Sequence, residues 1–427
     1  VRLFITQSLG ASNDNVFKNA LVVLLTFNAA QWTTLKPELL GNLAAGIFIL
    51  PFFLFSATAG QLVDKFDKAR IARLVKSVEI AIMALAAIGF LLHSFAALLC
   101  ALFLMGMHST LFGPVKYAIL PQHLHGHELV AGNALVEAGT FTAILLGTLL
   151  GGLLAALGNG PLWISIVTIC IAVAGYIASR GIPAAPSVVP ELKLRLNPIA
   201  DTWRCVADSY ASRDVFVAIV GLSWFWLYGS LFLAQFPAYA KYVLGGDALS
   251  VTLLLATFTI GIGAGSLACD RLSRHRVEIG LVPLGAIGLT LFGLDFAFAS
   301  PTAVPAATVP LTQLLSSFGI WRILIDLLLL GAFGGFYCVP LYALMQSRSP
   351  EERRARVIAA NNIVNALFMV GGALGASALL HAGVSIPRLF MYAAIANALV
   401  AIALCLWWPE FGRRFVAWLR ERRGGAG

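Results

Sequence analysis

The chain has 427 residues, 59% of them hydrophobic and only 11% charged, with a formal net charge of +9 and a mean hydropathy of +0.87. A soluble domain carries roughly 25% charged residues, so the composition excludes a water-soluble protein. The basic excess is spread among the ends of apolar segments, which argues against a nucleic-acid binder and for a topology signal with affinity for anionic lipid surfaces.

Apolar runs of about 18 residues or more, long enough for a ~30 Å hydrocarbon core, recur along the whole sequence. They predict an all-α membrane protein of twelve transmembrane helices, at about 2–28, 39–63, 71–93, 95–119, 129–157, 161–182, 214–243, 249–270, 277–299, 322–346, 355–381 and 387–409. The first lacks the short apolar region and cleavage site of a signal peptide and is expected to be a retained helix.

Basic residues fall overwhelmingly on one side of these spans. They are Lys65, Lys68, Arg70, Arg73 and Lys76, then Arg180, Lys193, Arg195, Arg204 and Arg213, then Arg271, Arg274 and Arg276. Arg348, Arg353, Arg354 and Arg356 follow, and the tail adds Arg413, Arg414, Arg420, Arg422 and Arg423. The opposite side offers Lys36, Lys241, Arg322 and Arg388. Positive-inside bias therefore predicts a multi-pass protein with both termini in the cytoplasm.

Within the first span, Asp14 and Lys18 are four residues apart and share a helix face, where they can pair. About 18 Å of helix separates Asp14 from Arg2 at ~1.5 Å per residue, near mid-membrane. Ionisable groups inside a span are costly and point to a cavity or pathway. Lys116 near the end of the fourth span and Glu137 in the fifth belong to the same class. Asn15, Tyr117 and Asn133 are candidates to complete a polar shell, although buried amides also serve to bond helices together. Likewise, Asp14–Lys18 and Glu137–Lys116 pairs can serve only to tie helices.

Between the second and third spans stands Gly60-Gln61-Leu62-Val63-Asp64-Lys65-Phe66-Asp67-Lys68-Ala69-Arg70. Half a chain later, Ser266-Leu267-Ala268-Cys269-Asp270-Arg271-Leu272-Ser273-Arg274 repeats its small-x-x-x-Asp-basic core between two further spans. The repeat divides the chain into an N-terminal six-helix bundle (1–182), a linker (183–213) and a C-terminal six-helix bundle with a basic tail (214–427). Asp64 is placed to cap a neighbouring helix or to pair across the halves. Gly60, Asp64, Lys65, Arg70, Asp270 and Arg271 are the candidate conformational switch.

The linker breaks the apolar pattern at Pro183, Pro186, Pro190 and Pro198. Within it Leu192, Leu194, Leu196, Ile199 and Trp203 alternate with Lys193, Arg195, Asp201 and Arg204, which suits either a short interfacial helix or a disordered linker. The loop 300–321, apolar and uncharged, is expected to lie against the outer surface. Six cysteines stand singly, without metal or redox spacing. His123, His125 and His127 alternate in a short turn with no supporting acid cluster, a solvated loop rather than a metal site; His123 with Glu128 makes no acyltransferase motif. Glycines four apart, Gly147 with Gly151 and Gly371 with Gly375, are expected packing surfaces. No cofactor or metal site is expected.

The second half carries few in-span charges, Asp295, Arg322 and Asp326 lying near outer ends. It offers instead Trp224, Trp226, Tyr228, Phe232, Gln235, Phe236, Phe333, Phe336 and Tyr337. A charged lobe and an aromatic lobe suit an amphipathic ligand with a zwitterionic head and an acyl tail, with Trp226, Phe232 and Phe336 toward the tail.

The repeated turn resembles the major facilitator pattern G-x-x-x-D-[RK]-x-G-[RK]-[RK], with Asp67 where the second glycine is usual. A narrower resemblance, to the bacterial lysophospholipid transporter family, rests on several stretches. In the first half these are Gln7-Ser8-Leu9-Gly10-Ala11-Ser12-Asn13-Asp14-Asn15, Gly113-Pro114-Val115-Lys116-Tyr117-Ala118-Ile119-Leu120, Gly132-Asn133-Ala134-Leu135-Val136-Glu137-Ala138 and Ile144-Leu145-Leu146-Gly147. In the second half they are Gly334-Gly335-Phe336-Tyr337-Cys338-Val339-Pro340-Leu341 and Ala360-Asn361-Asn362. Ser223-Trp224-Phe225-Trp226 and Gln235-Phe236-Pro237 resemble the transporter part of fused phospholipid acyltransferases. The resemblance implies helices 1 and 4 beside a central cavity, with helix 5 flanking it. It also implies movement of lysophospholipids, chiefly lysophosphatidylethanolamine, across the bacterial inner membrane for reacylation, with a cytoplasmic acyltransferase or acyl-ACP synthetase as partner. Where the stand-alone transporters carry an arginine in helix 7, Leu231-Phe232-Leu233-Ala234-Gln235 has none, so that head-group contact does not carry over. A proton-coupled efflux carrier for drugs or metabolites, using Asp14 and Glu137, is the alternative. An acyltransferase would need a catalytic domain beyond these residues.

Overall fold

The structure, a computed structural model, describes residues 1–27, 32–33, 37–195, 197–210, 212–274, 276–301 and 309–424. Lys36, Leu196 and residues 302–308 of the loop 300–321 lie outside the described residues. The spans form α1 (Arg2–Phe27), α2 (Pro37–Lys65), α3 (Lys68–Leu91), α4 (Phe95–Ala118), α5 (Leu129–Ala155) and α6 (Gly160–Arg180). The linker helix is α7 (Pro198–Tyr210). Beyond it come α8 (Arg213–Tyr242), α9 (Ala248–Leu272), α10 (Leu281–Ala299), α11 (Phe318–Arg348), α12 (Arg354–His381), α13 (Ile386–Trp407) and a tail helix α14 (Glu410–Gly424).

Among the described residues, 11 helices are both long and apolar enough to cross a membrane. The twelfth, α1, has the length at 26 residues but carries Asn13, Asp14, Asn15, Lys18 and Asn19, which lower its hydropathy. Helix starts follow local chemistry. Asp67 caps α3 by accepting the Arg70 amide at 2.8 Å, Ser94 caps α4 through Ala97, and Asp247 caps α9 through Ser250, each replacing a helix bond the first turn lacks. Asp67 thus gives the departure from the family glycine a structural role: it also accepts the Ala185 amide at 3.1 Å.

Two compact units emerge. The first comprises Val1–His123, Thr142–Ala211 and Ser349–Ala366; the second comprises Leu124–Phe141, Ser212–Arg348 and Leu367–Gly427. Helices α5 and α12 therefore each divide their length between the two.

In the first unit α1, α3 and α6 pack together and α2 lies against α4, around Phe17, Leu21, Ile82, Met83, Phe90, Leu98 and Met105. Gly147 and Gly151 let α5 approach α1: a Cβ at either would come within 2.6 Å of a backbone oxygen, of Ser12 or Val16. The matching expectation for Gly371 and Gly375 is corrected, since a Cβ at either meets open space.

The linker is ordered against this unit. Lys65 Nζ donates to Leu192 O at 2.8 Å, Gln61 Oε1 accepts the Arg195 amide at 2.8 Å, and the Val189 amide reaches Asp64 O. Helix α7 then lies on α2, with Thr202 bonded to Phe53 O, while Ile199, Trp203 and Tyr210 remain exposed on its other side. Of the two expectations for the linker, the structure shows a helix at Pro198–Tyr210.

In the second unit α11 is the central element, packed against α8, α9 and α10, with α13 against α8 and α10. Its core is an aromatic stack in which Phe232 meets Phe390 at 4.4 Å and Tyr228 at 4.9 Å. The tail helix α14 rests on α10, where Arg414 bonds Glu278 at 2.7 Å and Trp418 reaches Leu272 O. Of the loop 300–321, the described part ties back at Val309, whose amide bonds Gly245 O, and at Leu311, whose amide meets Asp247.

Candidate functional site

The first unit holds a charged cluster deep among α1, α3 and α4. Lys76, entirely buried, donates to Glu79 Oε2 at 2.6 Å one helical turn away. Glu79 Oε1 accepts from Asn13 Nδ2 at 2.7 Å. His108 Nε2 lies 3.1 Å from Glu79 Oε2, and its ring stacks on Phe112. The Lys76 ammonium sits 5.4 Å over that same Phe112 ring and fits beside Gly10 and Gly175, where side chains would crowd it. Next to this cluster the Ser109 hydroxyl donates to Asp14 Oδ2. Because Asn13 and Asp14 are neighbours in α1, and His108 and Ser109 neighbours in α4, one face of each helix supplies both contacts.

Taking a charge pair out of water is costly, and only good geometry with extra hydrogen bonds recovers the loss. Glu79 meets that condition with Lys76, Asn13 and His108 around it. Asp14 differs: it is only part-buried, and its Oδ1 carries no hydrogen bond. It is a carboxylate held in place on one oxygen, with the other buried and carrying no hydrogen bond.

The expected Asp14–Lys18 pair is not what the structure shows. Lys18 Nζ instead lies 5.2 Å over the Phe48 ring. Lys76, counted from sequence among the loop cations, is corrected to an internal group two turns into α3. Asn15, largely buried, donates to Ala11 O at 2.8 Å. Lys116 sits 4.7 Å over the ring of Tyr117, which is buried. In the second unit, Asn133 and Gln346 exchange two amide hydrogen bonds, at 2.8 and 2.9 Å, joining α5 to α11. Glu137 in the same unit is fully buried.

Among the aromatic candidates, Trp226 donates to Tyr342 at 2.9 Å and stacks on Phe141, remaining part-exposed. Phe336 is also part-exposed and meets Phe333 edge-on. Phe232, by contrast, is fully enclosed.

The candidate switch residues gather at the end of α2. Gly60 lies against α12, where a Cβ would come within 2.9 Å of Arg356 Cα. Asp64 Oδ1 accepts the Ala355 amide at 3.1 Å and Oδ2 the Arg356 Nε at 2.8 Å. It therefore caps the first turn of α12. Lys65 holds the linker, and the Arg70 amide belongs to the Asp67 cap. In the repeat, the Asp270 carbonyl accepts from Ser273, and the Arg271 side chain is exposed.

Sequence reasoning missed Glu79, His108, Asn13 and Ser109. The rule that singled out Asp14 applies equally to Glu79 and His108, which lie inside the third and fourth spans, so the signal was present.

Helices of this length and hydropathy, packed around buried charge, define a multi-pass membrane protein. The chain belongs to the Major Facilitator Superfamily, whose model matches residues 3–367. Among relatives, a lysophospholipid transporter LplT of Klebsiella pneumoniae (strain 342) is 28% identical over 375 residues, 86% of this chain and 85% of that one. The LplT of Enterobacter sp. (strain 638) is 27% identical over 351 residues, 80% and 78% of the two chains. Similar solved folds include the human organic anion transporter MFSD10, with TM-score 0.72, 15% identity and coverage of 94% and 99%. Another is the E. coli fucose:proton symporter FucP, with TM-score 0.68, 13% identity and coverage of 94% and 97%. These are transporters, not enzymes.

Proposed function

We propose that the protein moves lysophospholipids, chiefly lysophosphatidylethanolamine, across a bacterial inner membrane so that they can be reacylated. Both termini would face the cytoplasm, as the distribution of lysine and arginine in the loops supports. The chain would work as bundles 1–182 and 214–427 joined by the linker 183–213. The observation that carries the reading is Asp14, part-exposed and fixed by Ser109 on one oxygen, in a chain whose relatives are named for lysophospholipid transport. A carboxylate so placed takes the ethanolamine ammonium by charge-assisted hydrogen bonds, and Lys116 suits the phosphate. Trp226 and Phe336 offer part-exposed apolar surface for an acyl chain.

The test is reconstitution into proteoliposomes with fluorescent lysophosphatidylethanolamine, with and without a pH gradient. Uptake by the parent and its loss in Asp14→Asn support the reading; uptake equal to protein-free vesicles sinks it. A second reading, a proton-coupled efflux carrier for drugs or metabolites, is favoured by the buried Glu79–His108 contact. It would show as transport of such solutes driven by the gradient. A cytoplasmic acyltransferase or acyl-ACP synthetase would consume the delivered lipid.

A further inference from the structure

We infer that His108 is a proton-binding site whose proton competes with the cationic head group for the field of Asp14, so that binding an ethanolamine head group expels a proton. The inference rests on the lysophospholipid reading above and deepens it. Its basis is the arrangement of charge around the α1–α4 contact. Glu79 is already matched by the ammonium of Lys76 at 2.6 Å and by the amide of Asn13 at 2.7 Å. His108, 5% exposed, places Nε2 3.1 Å from the same carboxylate, and both of its ring nitrogens are buried without a hydrogen bond. Glu79 thus has its hydrogen bonds from Lys76 and Asn13 and does not depend on a charge on this ring.

Charged groups approach His108 from two neighbouring helices. Helix α1 contributes Asp14 and Lys18, and α3 contributes Lys76 and Glu79. The ionisable residues of α2, namely Glu38, Asp64 and Lys65, stand only at its ends, and the next on α4 itself is Lys116, two turns on. The Ser109–Asp14 bond sets His108 beside the Asp14 carboxylate. Lys18 is one turn from Asp14 on the same helix, and its ammonium lies over Phe48.

An ammonium arriving at Asp14 therefore meets Lys18 and, when it is protonated, His108. Histidine as a side-chain type is the physiological-pH switch, which lysine is not. A bound ammonium favours the neutral ring, and a proton on the ring disfavours the ammonium by the same factor, since coupling between two ligands is reciprocal. No proton is transferred to the lipid; it leaves His108 for solvent as the head group binds.

The experiment is calorimetric binding to the purified full chain across pH 5.5–8. It compares lysophosphatidylethanolamine with lysophosphatidylglycerol, which has no ammonium, in buffers of different ionisation heat. A competing proton weakens binding by up to about tenfold per pH unit. The expected result is a roughly tenfold weaker ethanolamine lipid at pH 5.5 than at pH 8, with proton release on binding, and a nearly flat profile for the glycerol lipid. In His108→Gln the slope and the proton release should disappear. Should that variant fail to fold, His108→Asn serves the same comparison. A pH-independent affinity in the parent overturns this inference alone. So does a slope that survives in the histidine variant, which would assign the proton to Asp14. Failure of the ethanolamine lipid to bind at any pH overturns the substrate reading, and this inference with it.

Discussion

Asp64 and Arg356 are joined by a 2.8 Å bond from Nε to Oδ2, while Asp64 Oδ1 accepts the Ala355 amide at 3.1 Å. One carboxylate at the end of α2 thus provides both the N-terminal cap of α12 and the counter-charge to its first-turn arginine. Capping of this kind is worth ~1 kcal/mol. Gly60, one turn earlier, permits the approach.

If this contact must break and re-form during transport, changing it alters rate rather than affinity. Asp64→Asn is expected to lower the uptake rate by about tenfold, the equivalent of ~1.4 kcal/mol, with the equilibrium affinity for lysophospholipid unchanged. Measurement of both in one preparation decides the matter. A large loss of affinity with an unaltered rate would remove Asp64 from the switch.

Cys205 on α7 reports on the same region. Its thiol lies 3.1 Å from Arg356 O, and burial pushes it up to about 12. The group is an acid raised above its ordinary value, so the reactive thiolate is absent at neutral pH and forms only as pH rises toward that figure. In a variant lacking the other cysteines, maleimide labelling at pH 7.5 is expected to be slow, and faster when Asp64→Ala frees the first turn of α12. Rapid labelling of the parent would show that the thiol is not enclosed.

The Lys76–Glu79 pair makes a stability prediction. Removing one member of a buried pair leaves the other charge uncompensated, at a cost of 3–5 kcal/mol, roughly. Glu79→Met should therefore lower thermal stability in detergent markedly, and Lys76→Met combined with Glu79→Met should recover much of the loss. Additive losses in the double variant would show that the two residues act independently.

Asp14 stands apart because one of its oxygens is committed and the other is not. Asp14→Asn keeps the size and an acceptor for Ser109 but removes the charge. Uptake of lysophosphatidylethanolamine is expected to fall severely while membrane insertion and thermal stability stay near parental. Parental transport would make Asp14 a structural residue only.

The aromatic candidates separate by exposure. Phe232 is enclosed in a stack with Tyr228 and Phe390, so Phe232→Ala should destabilise by about 3–5 kcal/mol without changing tail preference. Phe336→Ala should instead blunt the dependence of binding on acyl-chain length, which for an enclosed tail amounts to ~0.8 kcal/mol per methylene. Equal length dependence in parent and Phe336→Ala would take Phe336 out of the tail site.

The sequence by itself determined the membrane class, the helix positions and the duplicated turn. Hydrophobic length is a local property, and a ~30 Å core demands it of every span, so the apolar stretches coincide with the helices to within a few residues. It also singled out Asp14, because an in-span carboxylate is costly wherever its helix packs. Only the tertiary structure decided which charges are spent on one another. Lys76 reads as a loop cation until α3 is seen to begin at Lys68 and to turn it onto Glu79. Asn133 reads as a ligand until Gln346, far along the chain, takes its amide. Phe232 reads as cavity lining until Phe390 closes over it. Partner choice depends on which helix faces meet across long stretches of sequence, and spacing along the chain constrains only neighbours within a turn or two.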